Sequence, residues 1–237
     1  MYNIKDYLLN GITFLKNITC THHKELTSLM IYSTSLCQSR CKHCSIWKKR
    51  PVEHLSLNDI IRIMSSKCVT KRTTIGLEGG EFILHPEADA ILNWFHENHK
   101  NYTLLSNGLA PNKVVTAVKR YTPKHLYLSL DGGNETRGVD GYDKVIQVIE
   151  QCKNIVPISL MFCHTPWNSF EDMDYVIQIA KKYDIDVRIG IYNTMDFFDT
   201  TEKLMEVSDD YIRKIPKSIH ETQENYDFVA LYNEWKK

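Results

Sequence analysis

The chain has 237 residues, with 29 Lys plus Arg, 29 Asp plus Glu and a formal net charge of zero. This length is sufficient to bury one sizeable core, so we expect a single domain. Balanced charge without a long basic run does not favour a nucleic acid or an acidic membrane surface as the main partner. We expect a cytoplasmic protein without a membrane partner, since no signal-peptide pattern, membrane-spanning apolar run or secreted disulfide framework is apparent.

The first predicted element is a short helix. Leu8, Ile12 and Leu15 recur at helical spacing within residues 4–19, and Gly11 interrupts the pattern. This pattern predicts a lead-in helix that packs on the core.

Strand and helix patterns then alternate along the chain. Short apolar or β-branched runs bounded by turn residues predict six strands at residues 29–35, 73–77, 102–105, 125–130, 156–162 and 186–191. Apolar faces at helical spacing follow the first five strands, at about residues 57–66 and from residues 86, 111, 145 and 169. Ser56 with Asp59, and Ser169 with Asp172, predict capped helix starts.

Six alternating units predict a parallel sheet with right-handed crossovers, either open or curved into a partial barrel. Past residue 196 the pattern weakens, although residues 209–215 are compatible with a helix. We therefore divide the chain into a lead-in at 1–27, a main α/β unit at 28–195, and a C-terminal extension at 196–237 that packs on it.

Directly after the first strand comes the run Cys37-Gln38-Ser39-Arg40-Cys41-Lys42-His43-Cys44. Three thiolates at this spacing can hold three irons of a [4Fe–4S] cubane, and no nearby cysteine is available for the fourth iron. A zinc site would need a fourth ligand such as His43 or a distant cysteine. Thiol redox chemistry needs only two cysteines, and three cysteines without a function are the remaining alternative.

This spacing after a first strand resembles the signature of the radical S-adenosylmethionine (radical SAM) enzymes. Three later runs are similar to that family's Gly-Gly-Glu, Thr-Asn-Gly and fourth-strand motifs, in the family's order. They are Glu78-Gly79-Gly80-Glu81, Ser106-Asn107-Gly108 and Ser129-Leu130-Asp131-Gly132. The resemblance implies a partial (β/α)6 TIM-like barrel of parallel strands, with its chemistry at the carboxyl ends of the strands.

The resemblance also implies two cofactors, a [4Fe–4S] cluster on Cys37, Cys41 and Cys44, and S-adenosylmethionine on its open iron. Gly79 and Gly80 would let the backbone approach the ligand closely. Glu81 would offer its carboxylate to the methionine ammonium group.

Further contacts with S-adenosylmethionine follow from the same resemblance. Ser129 and Asp131, on one side of the fourth strand, can hold the ribose hydroxyls, although Asp131 could instead cap the next turn. Arg137 could pair with the methionine carboxylate or remain a plain surface arginine. His43 falls near the adenine in this comparison, and Asn168 near the methionine.

The implied activity is reductive cleavage of S-adenosylmethionine to a 5′-deoxyadenosyl radical, which abstracts hydrogen from a small molecule or peptide. A one-electron donor of the flavodoxin or ferredoxin type would be needed. The motifs assign no catalytic residue and do not distinguish an oxidoreductase from a transferase. No cysteine follows Cys163, so we expect no auxiliary-cluster (SPASM-type) domain in this chain, whether it is a minimal enzyme or a truncated one.

A rival interpretation from another class is a non-catalytic iron–sulfur redox or sensor protein on the same scaffold, in which a partner fills the open ligand position. It predicts cluster binding without cleavage of S-adenosylmethionine. A structural zinc protein is the third interpretation, and it predicts a colourless protein with stoichiometric zinc.

Overall fold

In a computed structural model of the chain, six parallel strands form one sheet at the centre of the protein. The structure describes residues 4–19, 24–165 and 167–191. Strands β1 to β6 span Ser28–Tyr32, Thr74–Glu78, Tyr102–Ser106, His125–Ser129, Ile158–His164 and Asp186–Ile191. Each strand pairs in parallel with the next, so that β1 and β6 lie at the two edges. The predicted α/β class with a partial TIM-like barrel is therefore confirmed.

Helices precede and connect these strands. Helices α1 to α7 span Ile4–Thr19, Leu57–Met64, Ala88–Glu97, Pro111–Tyr121, Asn134–Arg137, Tyr142–Cys152 and Phe170–Tyr183. Both predicted caps are confirmed, because the Ser56 and Ser169 hydroxyls accept the backbone N–H groups of Asp59 and Asp172. In return, the Asp59 and Asp172 side chains accept the backbone N–H groups of Ser56 and Ser169, which completes a capping box. Each capping box sets the residue at which its helix begins.

The core lies between the sheet and the connecting helices. Along β4, Leu126 and Leu128 are fully buried, whereas Tyr127 and Ser129 between and after them are half-buried. Successive side chains of a strand point to opposite faces, so Tyr127 and Ser129 share the face that looks into the barrel. Because Ser129 is the last residue of β4, it lies at the carboxyl end of the barrel.

The lead-in helix differs from its prediction. Helix α1 continues through Gly11 for 16 residues, because a glycine inside a helix costs only about 1 kcal/mol relative to alanine. Its apolar side chains do not pack on the core as expected, since Leu8 is 65% exposed and Leu15 is 62% exposed. Asn17 makes the contact with the following segment instead, through hydrogen bonds to the backbone N–H and carbonyl of Glu25.

Several strand boundaries differ from the predicted ones by one to three residues, and two of these differences have a clear physical reason. Strand β1 ends at Tyr32 instead of Ser35, because the Ser35 N–H donates to the Glu53 carbonyl of a neighbouring loop at 3.0 Å. Strand β5 begins after Pro157, not at Val156, since proline has no N–H to donate to a strand ladder.

The predicted C-terminal extension at residues 196–237, with its candidate helix at 209–215, lies outside the described residues. Within the part of the chain that the structure describes, none of the helices has the length and apolar character needed to cross a membrane.

A buried histidine at the amino-terminal end of β4 makes stability sensitive to acid. His125 Nε2 lies 2.8 Å from Ser159 Oγ, and that hydroxyl donates to Asp186 Oδ2 at 2.9 Å. Burial lowers the pKa of His125 to about 4, whereas an unperturbed histidine has a pKa of about 6.5. The unfolded chain therefore binds the proton first as the pH falls, and folding stability is lost through this window.

We expect the free energy of unfolding, measured by urea denaturation, to fall between about pH 6.5 and pH 4. The fall should be about 2 kcal/mol smaller in a His125→Gln variant, which has no imidazole to protonate. The two proteins share every other residue, so the difference isolates His125. Parallel pH profiles for the two proteins would contradict this assignment.

Candidate active site

The cysteine loop lies at the carboxyl end of β1, as the sequence predicts. Cys37, Cys41 and Cys44 are half-buried free cysteines that line one cleft. The cleft has a volume of about 140 Å³ and is open to solvent. The three thiols therefore share a single cleft that a ligand can reach.

Hydrogen bonds from two other strand ends hold the cysteine loop in place. The Ser39 hydroxyl and the Arg40 N–H both donate to the Arg137 carbonyl, at 3.0 and 2.9 Å. On the other side, Asn107 Nδ2 lies 3.6 Å from Cys37 Sγ. Hydrogen bonds from the segments that follow β3 and β4 thus hold the cysteine loop in position.

Gly79 and Gly80 line the cleft, but their lack of side chains serves the cysteine loop. A Cβ on Gly80 would lie 2.4 Å from the Leu36 carbonyl oxygen and 3.0 Å from Cys37 Cβ. A Cβ on Gly79, where φ is +149°, would lie 2.6 Å from the Thr34 carbonyl oxygen. The sequence predicted close approach of the backbone to a ligand, whereas the atoms nearest to an added Cβ belong to the protein backbone of residues 34 and 36.

The Glu81 carboxylate points towards the end of β3 and is only 1% exposed. It accepts hydrogen bonds from the Ser106 hydroxyl at 2.9 Å and the Asn107 N–H at 2.7 Å. Burial raises the pKa of Glu81 to about 7, although these hydrogen bonds favour the ionised form. Glu81 thus joins the ends of β2 and β3 in the cleft wall, and its contact with a methionine ammonium group stays a prediction.

Ser129 and Asp131 lie together on the β4 side of the cleft. Ser129 is half-buried, whereas Asp131 is 5% exposed. Asp131 Oδ1 accepts the backbone N–H of Cys163 at 2.7 Å. Asp131 therefore connects the ends of β4 and β5, a role for which the sequence carried no signal.

Arg137 is the largest fully buried side chain among the described residues, and it lines the cleft. Its Nη2 donates to the Asn107 carbonyl at 2.7 Å, while Nε and Nη1 have no hydrogen-bond partner within the described part of the chain. A buried guanidinium is costly unless its donors find acceptors. The alternative of a plain surface arginine is excluded, and the cleft wall holds two donors suited to an anionic ligand.

His43 lines the cleft, whereas Asn168 does not. Burial lowers the pKa of His43 below its usual value, so the ring is neutral at neutral pH. Asn168 Nδ2 donates to the carbonyls of Asp131 and Cys163, and Oδ1 accepts the Thr165 N–H. Because its amide binds these three backbone groups, Asn168 holds the loop after β5 against the backbone of Asp131.

Asn107 and Trp47 have roles in the cleft that the sequence did not indicate. The Asn107 side chain makes a turn by accepting the Leu109 N–H at 3.0 Å. The same side chain also reaches Cys37, across a separation of 70 residues. Trp47 donates its indole N–H to the Cys41 carbonyl at 3.1 Å.

The donor set fits an iron–sulfur cluster. Among residues 4–19, 24–165 and 167–191, no three His, Cys, Asp or Glu side chains are arranged around a single metal ion. A cubane cluster does not need three ligands around one metal ion, because each cysteine binds a separate iron. Burial raises the pKa of Cys37 to about 11 and also raises those of Cys41 and Cys44, so metal binding must supply the energy to form the thiolates.

Fold and cleft together define a class, a partial α/β barrel with three cysteines in a loop at the carboxyl end of its first strand. The family model described as the radical SAM superfamily matches residues 31–210, which is most of the chain. The chain therefore belongs to the radical SAM superfamily. The cofactors of this superfamily are a [4Fe–4S] cluster and S-adenosylmethionine.

Solved structures share this fold at low sequence identity. Streptococcus suis SuiB bound to S-adenosylmethionine aligns with a TM-score of 0.68 and 17% identity, covering 94% of this chain and 54% of that one. TYW1 with a lysine-pyruvate adduct aligns with a TM-score of 0.58 and 17% identity, covering 89% of this chain and 81% of that one. AnSMEcpe with bound AdoMet aligns with a TM-score of 0.61 and 18% identity, covering 83% of this chain and 60% of that one. The chain thus spans about half the length of SuiB, and no curated protein matches it significantly.

A methyl group at Gly80 should displace the cysteine loop, because its Cβ cannot lie 2.4 Å from the Leu36 carbonyl oxygen. We expect Gly80→Ala to remain folded with a loss of about 1–3 kcal/mol in stability. After anaerobic reconstitution it should bind much less iron than the wild type, as measured by iron and sulfide content.

Gly11→Ala is the matched control, because a Cβ at Gly11 would meet no atom within 4 Å. This variant should bind iron like the wild type and gain up to about 1 kcal/mol from helix propensity. A wild-type iron content in Gly80→Ala would show that the loop does not depend on this close approach.

Proposed function

We propose that this chain is a radical SAM enzyme that holds a [4Fe–4S] cluster on Cys37, Cys41 and Cys44. When bound and reduced, the cluster and S-adenosylmethionine supply a 5′-deoxyadenosyl radical that abstracts hydrogen from the substrate. The observation that carries this proposal is one cleft lined by three thiols and by the unpaired donors of buried Arg137. This combination suits a cluster together with a ligand that bears a carboxylate.

The methionine end of S-adenosylmethionine needs a cation and an acceptor. Arg137 would bind the carboxylate, because a guanidinium offers two parallel N–H groups to two oxygens. Glu81 would accept the ammonium group. Its oxygens already accept bonds from Ser106, Asn107 and Ile83, but an ionised carboxylate has about four acceptor positions.

The nucleoside end would lie along β4. Ser129 can hydrogen-bond a ribose hydroxyl, since its side chain faces the cleft from the last position of that strand. Asp131 offers a carboxylate beside it, held in position by the Cys163 N–H and by the loop that contains Asn168. His43, neutral and desolvated, provides a flat apolar face for the adenine.

We propose a small molecule or a peptide as the substrate. Peptide substrates are supported by two structures of the same fold, SuiB bound to precursor peptide SuiA and anSMEcpe bound to Cp18Cys peptide. A donor of the flavodoxin or ferredoxin type would deliver single electrons, and a reducing, oxygen-poor cytoplasm would preserve the thiols and the cluster. The cleft residues do not distinguish an oxidoreductase from a transferase.

Each cluster cysteine should be essential. We expect Cys37→Ala, Cys41→Ala and Cys44→Ala to lose both the brown colour after anaerobic reconstitution and the 5′-deoxyadenosine formed with dithionite and S-adenosylmethionine. The reason is that each thiolate binds its own iron. Cys68→Ala, which alters an exposed cysteine outside the cleft, should retain colour and product.

Two results would contradict the proposal in different ways. A wild-type protein that takes up the cluster but forms no 5′-deoxyadenosine would favour the non-catalytic redox or sensor protein. A colourless protein with one zinc ion per chain would favour the structural zinc protein.

Arg137→Lys should separate cofactor binding from cluster binding. Lysine keeps the charge but loses the planar fork, so we expect S-adenosylmethionine to bind about 10-fold more weakly or worse, with the iron content retained. Equilibrium dialysis with the reconstituted protein measures the affinity. Arg120→Lys, at an exposed arginine that pairs with Asp89, is the control and should bind normally. Unchanged affinity in Arg137→Lys would remove Arg137 from the binding site.

A further inference from the structure

The side of the sheet that looks into the barrel, which we call the inner face, carries charged side chains. Strand register defines this face, because Leu77, Leu104 and Leu126 are register partners that pack in the core with the helices. The residues that alternate with them point into the barrel. Among the described strand residues, the charged side chains of the inner face are Glu78 of β2 and Asp186 and Arg188 of β6.

Two of these charges compensate each other. Arg188 Nε lies 3.5 Å from Asp186 Oδ2, and the guanidinium carbon lies 4.9 Å from the centre of the Tyr127 ring. His125, on the same face, is neutral at neutral pH because burial lowers its pKa to about 4. Glu78, in contrast, makes no ion pair with any residue that the structure describes.

The Glu78 carboxylate lies inside the barrel. A Cβ on Gly76, two residues earlier on the same face, would lie 3.3 Å from Glu78 Oε1, so the carboxylate lies over the inner surface of β2. The hydroxyl of Tyr32, its register partner on β1, donates a hydrogen bond to it. Burial nevertheless raises the pKa of Glu78, because one hydroxyl does not replace the water that a charged carboxylate loses.

The backbone places Glu78 directly beside the candidate active site. Glu78 immediately precedes Gly79 and Gly80, which line the cleft. The Ser33 N–H and hydroxyl both donate to the Glu78 carbonyl, at 3.0 and 3.1 Å, which holds the end of β2 against the segment that leads to the cysteine loop. A group bound by Glu78 would therefore lie inside the barrel next to the cleft.

We propose that Glu78 binds a protonated amine of the substrate inside the barrel. This inference rests on the proposed function, because it assigns one group of the substrate on which that reaction would act. An ammonium group would donate to the carboxylate and supply the positive charge that no described neighbour provides. The ring of Tyr32, which is 42% exposed on the same face, adds an aromatic surface that attracts a cation.

Two other ligand groups compete for this assignment. One is the ammonium group of S-adenosylmethionine, for which Glu81 is better placed, because Glu81 lines the cleft with the three thiols and Glu78 is not one of the described residues that line it. The other is a neutral hydroxyl group, which would leave the charge of the carboxylate uncompensated. Each alternative corresponds to a distinct outcome of the test.

The test compares 4-phenylbutylamine with 4-phenylbutanol, two probes of similar size that differ in one charged group. Equilibrium dialysis uses the cluster-loaded protein with S-adenosylmethionine present. The wild type should bind the amine at least about 10-fold more tightly than the alcohol. Glu78→Gln, which keeps the shape of the side chain and removes its charge, should bind the two probes equally. Glu78→Asp, which keeps the charge, should retain a preference for the amine.

A matched control is Glu150→Gln on α6. Glu150 also accepts a tyrosine hydroxyl, from Tyr183 at 2.8 Å, but it lies on a helix outside the barrel. The control removes the same charge and should retain the wild-type preference for the amine.

Three results would overturn the amine site. They are a wild type that shows no preference for the amine, a preference that survives in Glu78→Gln, and weaker binding of S-adenosylmethionine by Glu78→Gln, which would place this carboxylate in the cofactor site. A different result separates the two proposals. If the preference for the amine depends on Glu78 but the wild type forms no 5′-deoxyadenosine with dithionite, the amine site stands and the proposed enzyme activity fails.

Discussion

The site depends on the close approach of the cysteine loop to the ends of the neighbouring strands. The Leu36 carbonyl occupies the space that a side chain at Gly80 would need. Glu81 binds the backbone N–H of Asn107, and Arg137 binds the carbonyl of the same residue. The segments that follow β2, β3 and β4 are thus connected through the backbone of Asn107. Because consecutive strands are neighbours in a parallel sheet, motifs separated by about 25 to 30 residues in the sequence meet at one edge of the barrel.

The electrostatics of the cleft favour a ligand with charges of both signs. The pKa of Glu81 rises to about 7 because the cost of burial exceeds the stabilisation by its hydrogen bonds and by Arg137. Arg137 retains two donors without acceptors among the described residues. A ligand that brings an ammonium and a carboxylate group would compensate both residues, and its binding would in turn stabilise the folded chain.

Local patterns were sufficient to predict the six strands, the two capped helices and the three cysteines, because hydrophobic period, capping and ligand spacing are all properties of neighbouring residues. The early end of β1 depends on a competing contact of Ser35 with another segment. Likewise, the burial of Arg137 and the direction of the Glu81 carboxylate are decided by partners on other strands. Only the tertiary structure brings these residues together, since the free energy of a buried polar group depends on what surrounds it and not on its own sequence context.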